Sequence, residues 1–249
     1  MKLTGSTIFI TGGGSGIGRG LAEALHKRGN QVIIAGRRKA NLMEVAKASP
    51  GIKWVELNIE DTASVSAVAR KLIAEYPRLN VLVNNAGVLH FDDISGPVDD
   101  KLLLSMLTTN LMGPIRLTGA LIDHLKRQND AAVINNSSVL GFVPLALAAV
   151  YSSTKAALHS YTLSLRYKLK GTPVKVLEIA PPWVQTDLHN SNNEPRAMPL
   201  AQFIEETMRV LGTDAEEILV ERAKPIRNNA GPGEAAFVTQ FNDLMIMPQ

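Results

Sequence analysis

The amino-acid sequence predicts an α/β fold, a doubly wound parallel β-sheet flanked by helices in a single domain spanning residues 1–249. Three observations carry that prediction. Short β-branched apolar runs alternate with longer segments whose apolar residues recur at three- and four-residue steps, as strand–helix–strand units around a parallel sheet require. The first run leads directly into a cluster of glycines and then a helical pattern. Finally, 249 residues with 45% hydrophobic and 20% charged side chains suit one soluble domain that buries its own core.

Taken in order, strands are predicted at Thr7–Thr11, Gln31–Ala35, Lys53–Leu57, Val81–Val83, Ala132–Asn136 and Val174–Ile179. Helical periodicity marks Ile17–Arg28, Ser64–Glu75, Lys101–Lys126 and Ala156–Leu169, with another helix opening after Arg37-Arg38. The polar run from His189 to Pro195 is rich in turn formers and reads as a loop. Helical patterns resume from Leu200 to about Leu211, from Asp214 to about Lys224, and at Ala235–Leu244. Residues 183–228 then read as a lid and C-terminal helices on the same domain. Right-handed crossovers place any ligand beyond the carboxyl ends of the strands.

Composition removes several function classes. Lys and Arg number 26 against 23 Asp and Glu, a formal net charge of +3 with no basic run, which argues against nucleic-acid partners. There are 0 cysteines, so disulfides, thiol catalysis and cysteine metal sites are excluded, and a reducing cytoplasm is the expected location. The five histidines, at 26, 90, 124, 159 and 189, show no metal-ligand spacing, and no metal is expected. No apolar stretch is long enough to cross a bilayer, so no membrane insertion is expected.

The glycine turn reads Thr11-Gly12-Gly13-Gly14-Ser15-Gly16-Ile17-Gly18. Its spacing is G-x-x-x-G-x-G rather than the G-x-G-x-x-G dinucleotide fingerprint, but the physics is shared. Missing side chains let backbone amides at a helix N-terminus approach a pyrophosphate. The second strand ends in Gly36-Arg37-Arg38, where a carboxylate would otherwise take a ribose 2′-hydroxyl. A guanidinium there offers a planar charged fork to a 2′-phosphate, so NADP(H) is expected over NAD(H), with Arg37 the first choice and Arg38 the second.

Tyr151 and Lys155 lie four residues apart, one helical turn, so their side chains leave one face. An ammonium beside a phenol favours the phenolate and is expected to lower its pKa, giving a usable general acid or base. Ser138 follows the fifth predicted strand, where its hydroxyl can donate to a substrate oxygen as charge develops.

These motifs resemble the single-domain type of the short-chain dehydrogenase/reductase family. The resemblance rests on the glycine turn, Asn84-Asn85-Ala86-Gly87, Asn110 in Asn-Leu-Met-Gly, Ser138, Tyr151-Ser-Ser-Thr-Lys155, and Pro181 with Thr186, in the family's order from about residue 5 to 188. It implies a Rossmann-type fold and proton exchange between Tyr151 and substrate, with Ser138 polarising the substrate oxygen. Lys155 would hold the nicotinamide ribose, and Asn110 would free a backbone carbonyl for a water in a proton relay. Cofactor contacts are implied at Gly12, Gly14, Ser15, Gly16, Ile17, Gly18, Arg37, Arg38, Asn58, Ile59, Asn85, Ala86, Gly87, Pro181, Val184 and Thr186, besides Tyr151 and Lys155. Three departures stand out. Asn58 replaces the family's Asp after the third strand, Pro181-Pro182 replaces Pro-Gly, and the usual short last strand ending in Asp-Gly is absent. Pro-Pro and the tail from Val220 to Asn228 are similar to the DltE-like subgroup, named for D-alanyl lipoteichoic-acid operons. A homo-oligomer is expected, a dimer or tetramer, with the helices at Lys101–Lys126 and Ala156–Leu169 as its contact.

The segment Val139–Val150 carries no charge, and Leu89, His90, Phe91 and Trp183 flank the motifs. Phe91, Leu140, Leu145 and Trp183 are the candidate substrate wall, with His90 and His189 as further neighbours, around a small-molecule carbonyl substrate that is hydrophobic, bulky or cyclic. The activity expected is an NADPH-dependent carbonyl reductase. The alternatives are an NAD(P)-dependent secondary-alcohol dehydrogenase and a non-catalytic cofactor-sensing protein.

Overall fold

The computed structural model describes residues 1–189, 191–229 and 231–246. Asn190 of the turn-rich loop, Ala230 and the last three residues lie outside the described residues, as does the side chain of His189. Seven parallel strands form one sheet: β1 (Thr7–Thr11), β2 (Gln31–Gly36), β3 (Lys53–Glu56), β4 (Leu79–Asn84), β5 (Ala132–Asn136), β6 (Lys175–Ile179) and β7 (Glu217–Ile218). Their order is β3-β2-β1-β4-β5-β6-β7, a Rossmann-like arrangement. The chain first winds outward to β3 and then restarts from β4 on the other side of β1. That reversal opens a crevice at the carboxyl ends of β1 and β4, where the motifs lie.

Alternating side chains feed two cores, one on each face of the sheet. Ile8, Ile10, Val32, Ile34, Val81 and Val83 pack on one face against α1 (Gly16–His26), α2 (Lys39–Ala48) and α7 (Leu200–Leu211). Phe9, Ile33, Leu82 and Val133 face the other way, against α3 (Thr62–Glu75) and α5 (Gly113–Leu125). The remaining helices are α4 (Asp100–Leu107), α6 (Ala149–Lys168), the short α8 (Lys224–Arg227) and α9 (Glu234–Ile246).

Three expectations are corrected. The pattern at Lys101–Lys126 is two helices, α4 and α5, joined by a π-helical turn at Thr108–Met112 that contains Asn110. Pro114 lacks an N–H, so it cannot supply the α-helical bond to the Asn110 carbonyl, and the wider turn absorbs the mismatch. Residues 214–224 are not a helix. They supply β7, a two-residue edge strand pairing with β6, and a 3₁₀ turn at Glu221–Ala223, so a short last strand is present after all. The sixth helix begins at Ala149 rather than Ala156, which puts Tyr151 in its first turn.

Candidate active site

A cavity of about 1120 Å³ opens at the carboxyl ends of the strands and contains nearly every predicted site residue. Its first half is built from the turn between β1 and α1. Gly16 has φ of +51°, a left-handed conformation natural to glycine, and a Cβ there would press on the Thr186 side chain at 3.3 Å. A Cβ on Gly18 would collide with the Gly12 carbonyl. No side chain caps α1, so its first-turn amides remain available to an anion. The turn is braced from β4: Asn85 Nδ2 donates to Thr11 O at 2.9 Å, and Thr11 Oγ1 accepts from the Asn85 and Ala86 amides at 3.0 Å each. A helix N-terminus without a side-chain cap, facing Thr186 across an open cleft, fits the pyrophosphate of a dinucleotide.

Both arginines after β2 line this half. Arg37 is tied to Glu60, Nη1 to Oε1 at 2.9 Å, whereas Arg38 Nη2 donates to Ser15 Oγ at 2.8 Å. Arg38 thus reaches the glycine turn, while Arg37 is held by Glu60. Ile59 is buried beside the cavity. Asn58 is exposed and turned elsewhere, its Oδ1 accepting from the Glu60 amide at 3.2 Å, so the expected adenine contact is not preformed. Gly87, Pro181, Val184 and Thr186 line the cavity further in. The lid is pinned at its root, where the Met198 amide donates to Trp183 O at 2.8 Å and the Gln185 amide to Met198 O at 2.9 Å.

Ser138, Tyr151 and Lys155 meet where the two halves of the cavity join. Ser138 leaves β5 in extended conformation, and its Oγ accepts from the Leu140 amide at 3.1 Å while hydrogen-bonding the Tyr151 phenol. Tyr151 is held by the start of α6. That helix has no side-chain cap of its own; Asp92, from the loop after β4, accepts from the Ala149 and Val150 amides at 3.0 and 3.1 Å. Lys155 Nζ donates to Asn136 O at 2.8 Å and lies 5.5 Å from the Tyr151 ring centroid. Burial pushes the Tyr151 phenol up to about 12, only partly opposed by Ser138, and pulls the Lys155 ammonium down to about 8, opposed by Glu178. The expected lowering of the tyrosine is thus reversed, because desolvation outweighs the Ser138 hydrogen bond.

Asn110 does not line the cavity. Fully buried, it clamps the chain beside it, Oδ1 accepting from Val88 N at 2.8 Å and Nδ2 donating to Val88 O at 2.9 Å and Thr154 Oγ1 at 3.2 Å. Of the predicted substrate wall, Leu140, Leu145 and Trp183 line the cavity, Phe91 stands at its rim with 55% exposure, and His90 is alongside. Sequence reasoning missed Asn136, whose role is a backbone carbonyl and carries no residue signal. It also missed Phe241, Leu244 and Met245 of α9, which complete the apolar wall. Phe241 and Met245 pack with Leu145, Ala148 and Tyr151. Asn242 anchors that helix, accepting from Ala146 N at 2.5 Å and donating to Pro144 O at 2.9 Å. The helical, largely apolar run Ala235–Leu244 was the available signal. No helix among the described residues is long and apolar enough to cross a membrane.

The model of the short chain dehydrogenase family matches residues 6–197. The uncharacterized oxidoreductase DltE of Bacillus subtilis (strain 168) is 36% identical over 234 residues, 92% of this chain and 93% of that one. An NADP-dependent 3-hydroxy acid dehydrogenase of Schizosaccharomyces pombe is 32% identical over 194 residues, 75% of this chain and 74% of its own. Among solved structures, a short chain dehydrogenase from Burkholderia cenocepacia J2315 in complex with NADP superposes with a TM-score of 0.83 at 26% identity, covering 100% of both chains. With the motifs seated in that order on that sheet, the chain is an NAD(P)-dependent oxidoreductase and belongs to the short-chain dehydrogenase/reductase family, in its DltE-like subgroup.

Proposed function

We propose that the chain is an NADPH-dependent carbonyl reductase acting on a hydrophobic, bulky or cyclic ketone. The observation that carries this reading is the convergence of Ser138, Tyr151 and Lys155 at the junction between a glycine-cradled cleft and an apolar wall. The reduced nicotinamide supplies the hydride when bound. Tyr151 supplies the proton: its phenol, pushed up to about 12 by burial, is fully protonated at neutral pH and so stands ready as an acid for a ketone oxygen. Ser138 Oγ, beside that phenol, donates to the same oxygen and stabilises the charge that develops there. Lys155 places an ammonium beside the tyrosine and would hold the nicotinamide ribose. The Asn110 carbonyl, relieved of its α-helical donor by Pro114, is suited to hold a water for reprotonating the tyrosine.

Arg38 and Arg37 favour a 2′-phosphate, and no carboxylate stands at the tip of β2 to repel it. The substrate wall, from Leu140, Leu145, Trp183, Phe241 and Met245, is apolar and suits a substrate without an acidic group. The apolar side chains that α4 to α6 leave exposed, among them Leu104, Met112, Leu163 and Tyr167, favour pairing of two copies. Absence of cysteine suits work in a reducing cytoplasm.

The test follows NADPH consumption with a panel of hydrophobic ketones, comparing the parent with Tyr151→Phe. Parent turnover should fall by about 10²- to 10⁴-fold on loss of the hydroxyl, with NADPH affinity retained. Turnover that survives in the variant refutes Tyr151 as the acid. Tight NADPH binding without turnover of any ketone favours a cofactor-sensing role instead.

A further inference from the structure

Beside the catalytic turn the chain buries a second ionic group that does not line the cavity. Glu178 on β6 has 0% exposure, and a carboxylate removed from water this completely persists only where partners meet it. Its Oε1 accepts from Ser137 Oγ at 2.5 Å and its Oε2 from His159 Nδ1 at 2.8 Å. Glu217 of β7 and Arg227 of α8 complete the group. Arg227 grips Glu217 through Nε and Nη2 at 2.8 and 2.9 Å and lies over the Phe142 ring, which meets the His159 ring edge-on. One ligand atom each from His159, Glu178 and Glu217 lies within 4.8 Å of the others, a spacing a cation would suit. Arg227 already brings a fixed positive charge to that spot, paired with Glu217 from within the chain.

Each arm of the network ends on the active site. Ser137 precedes Ser138, and its amide also donates to Ile179 O at 2.8 Å, so main chain and side chain are both tied to β6. His159 and Lys155 are one turn apart on α6 and share a face. Lys155 in turn holds Asn136 O, one residue before Ser137. The Glu178 charge also acts on the Lys155 ammonium, against the loss of charge that burial imposes. We propose that Glu178, oriented by His159, is a positioning residue: it fixes the Ser137–Ser138 turn on β6 and serves as the interior counter-charge to Lys155. This rests on the reading of Tyr151 and Lys155 as a hydride-transfer site. The charged and titratable groups facing the pair are His159 of α6, Glu217 of β7 and Arg227 of α8, with Arg166 acting on Glu217 and Tyr151 standing beside Lys155.

The experiment measures NADPH affinity by cofactor fluorescence from about pH 6.5 to about pH 9.5, which needs no substrate. In the parent, affinity should fall on the alkaline side as Lys155 loses its proton, and Lys155→Met should abolish that limb. Glu178→Gln should move the limb to lower pH by about half a unit or more, whereas Arg227→Met, which removes the fixed positive charge beside the two carboxylates, should move it to higher pH. A Glu178→Gln limb that superimposes on the parent's, with acid-side affinity retained, overturns the proposal. If Glu178→Gln does not fold, Arg227→Met decides: no shift, or a shift to lower pH, overturns it. A parent that binds no NADPH at any pH overturns the hydride-transfer reading, and this role with it.

Discussion

Lys155 is 3% exposed, and burial draws its ammonium from 10.5 down to about 8, so the chain holds this charge at a cost. The sign follows from counting protons. Between about pH 8 and pH 10.5 the unfolded chain binds more protons than the folded one, so stability rises with pH across that window. At about 1.4 kcal/mol per pH unit, the charge costs about 3 kcal/mol at pH 7 and about 1 kcal/mol at pH 9.5. Lys155→Met removes that cost but takes a donor from the Asn136 carbonyl, which loses about 1–3 kcal/mol. The variant should therefore be more stable than the parent at pH 7 by about 1 kcal/mol. That advantage should shrink by about 2 kcal/mol on going to pH 9.5, where the variant becomes the less stable protein. The comparison stops at that pH because Tyr151, pushed up to about 12, destabilises both proteins once unfolded tyrosine begins to ionise. Urea unfolding without cofactor, read from tryptophan fluorescence at the two pH values, measures the difference. Curves that stay parallel at both would refute the claim that burial controls this amine, and with it the idea that the site stores an electrostatic cost for the cofactor to relieve.

Arg38→Ala should weaken NADPH binding by about 10- to 100-fold and leave NADH unchanged, with a smaller effect for Arg37→Ala because Glu60 already occupies that guanidinium. Equal losses for both dinucleotides in fluorescence titrations would count against 2′-phosphate recognition. Asp92→Ala strands two amides of the first turn of α6 and should cost about 1–2 kcal/mol in urea unfolding, with a fall in kcat because Tyr151 rides on that turn. An unchanged kcat would separate the cap from the catalytic geometry. Phe241→Ala should raise KM for bulky ketones by about tenfold while small ketones and NADPH affinity stay as they were. A uniform loss across the panel would place Phe241 in folding rather than in substrate selection.

The parallel sheet was legible because its strands are short, apolar and separated by amphipathic helices, and six of the seven strands stand where the alternation puts them. β7 was not, since two residues carry no period and the Ala215–Val220 stretch reads equally as helix. The π-helical turn was hidden for a different reason: apolar spacing continues across Thr108–Met112, and only the missing N–H of Pro114 betrays the break. At the site, Ser138, Tyr151, Lys155 and the glycines were legible from residue type and order, and the fold brings them to one cavity. The Asn136 carbonyl and the capping of α6 by Asp92 are products of tertiary placement, and no local pattern announces them. The direction of the tyrosine shift was misjudged because sequence spacing reveals the neighbouring charge but not the depth of burial.

α9 is the last element the described chain adds to the cavity, and Asn242 fastens it to a loop 96 residues upstream. During synthesis the glycine turn, Asn85 and the Ser138–Lys155 segment leave the ribosome well before that wall exists. The nucleotide pocket is thus complete in a chain whose substrate pocket still lacks one side. A nascent or C-terminally trimmed chain would therefore take up dinucleotide while leaving its reacting face open to water, a state that discharges reducing equivalents only poorly and selects among ketones hardly at all.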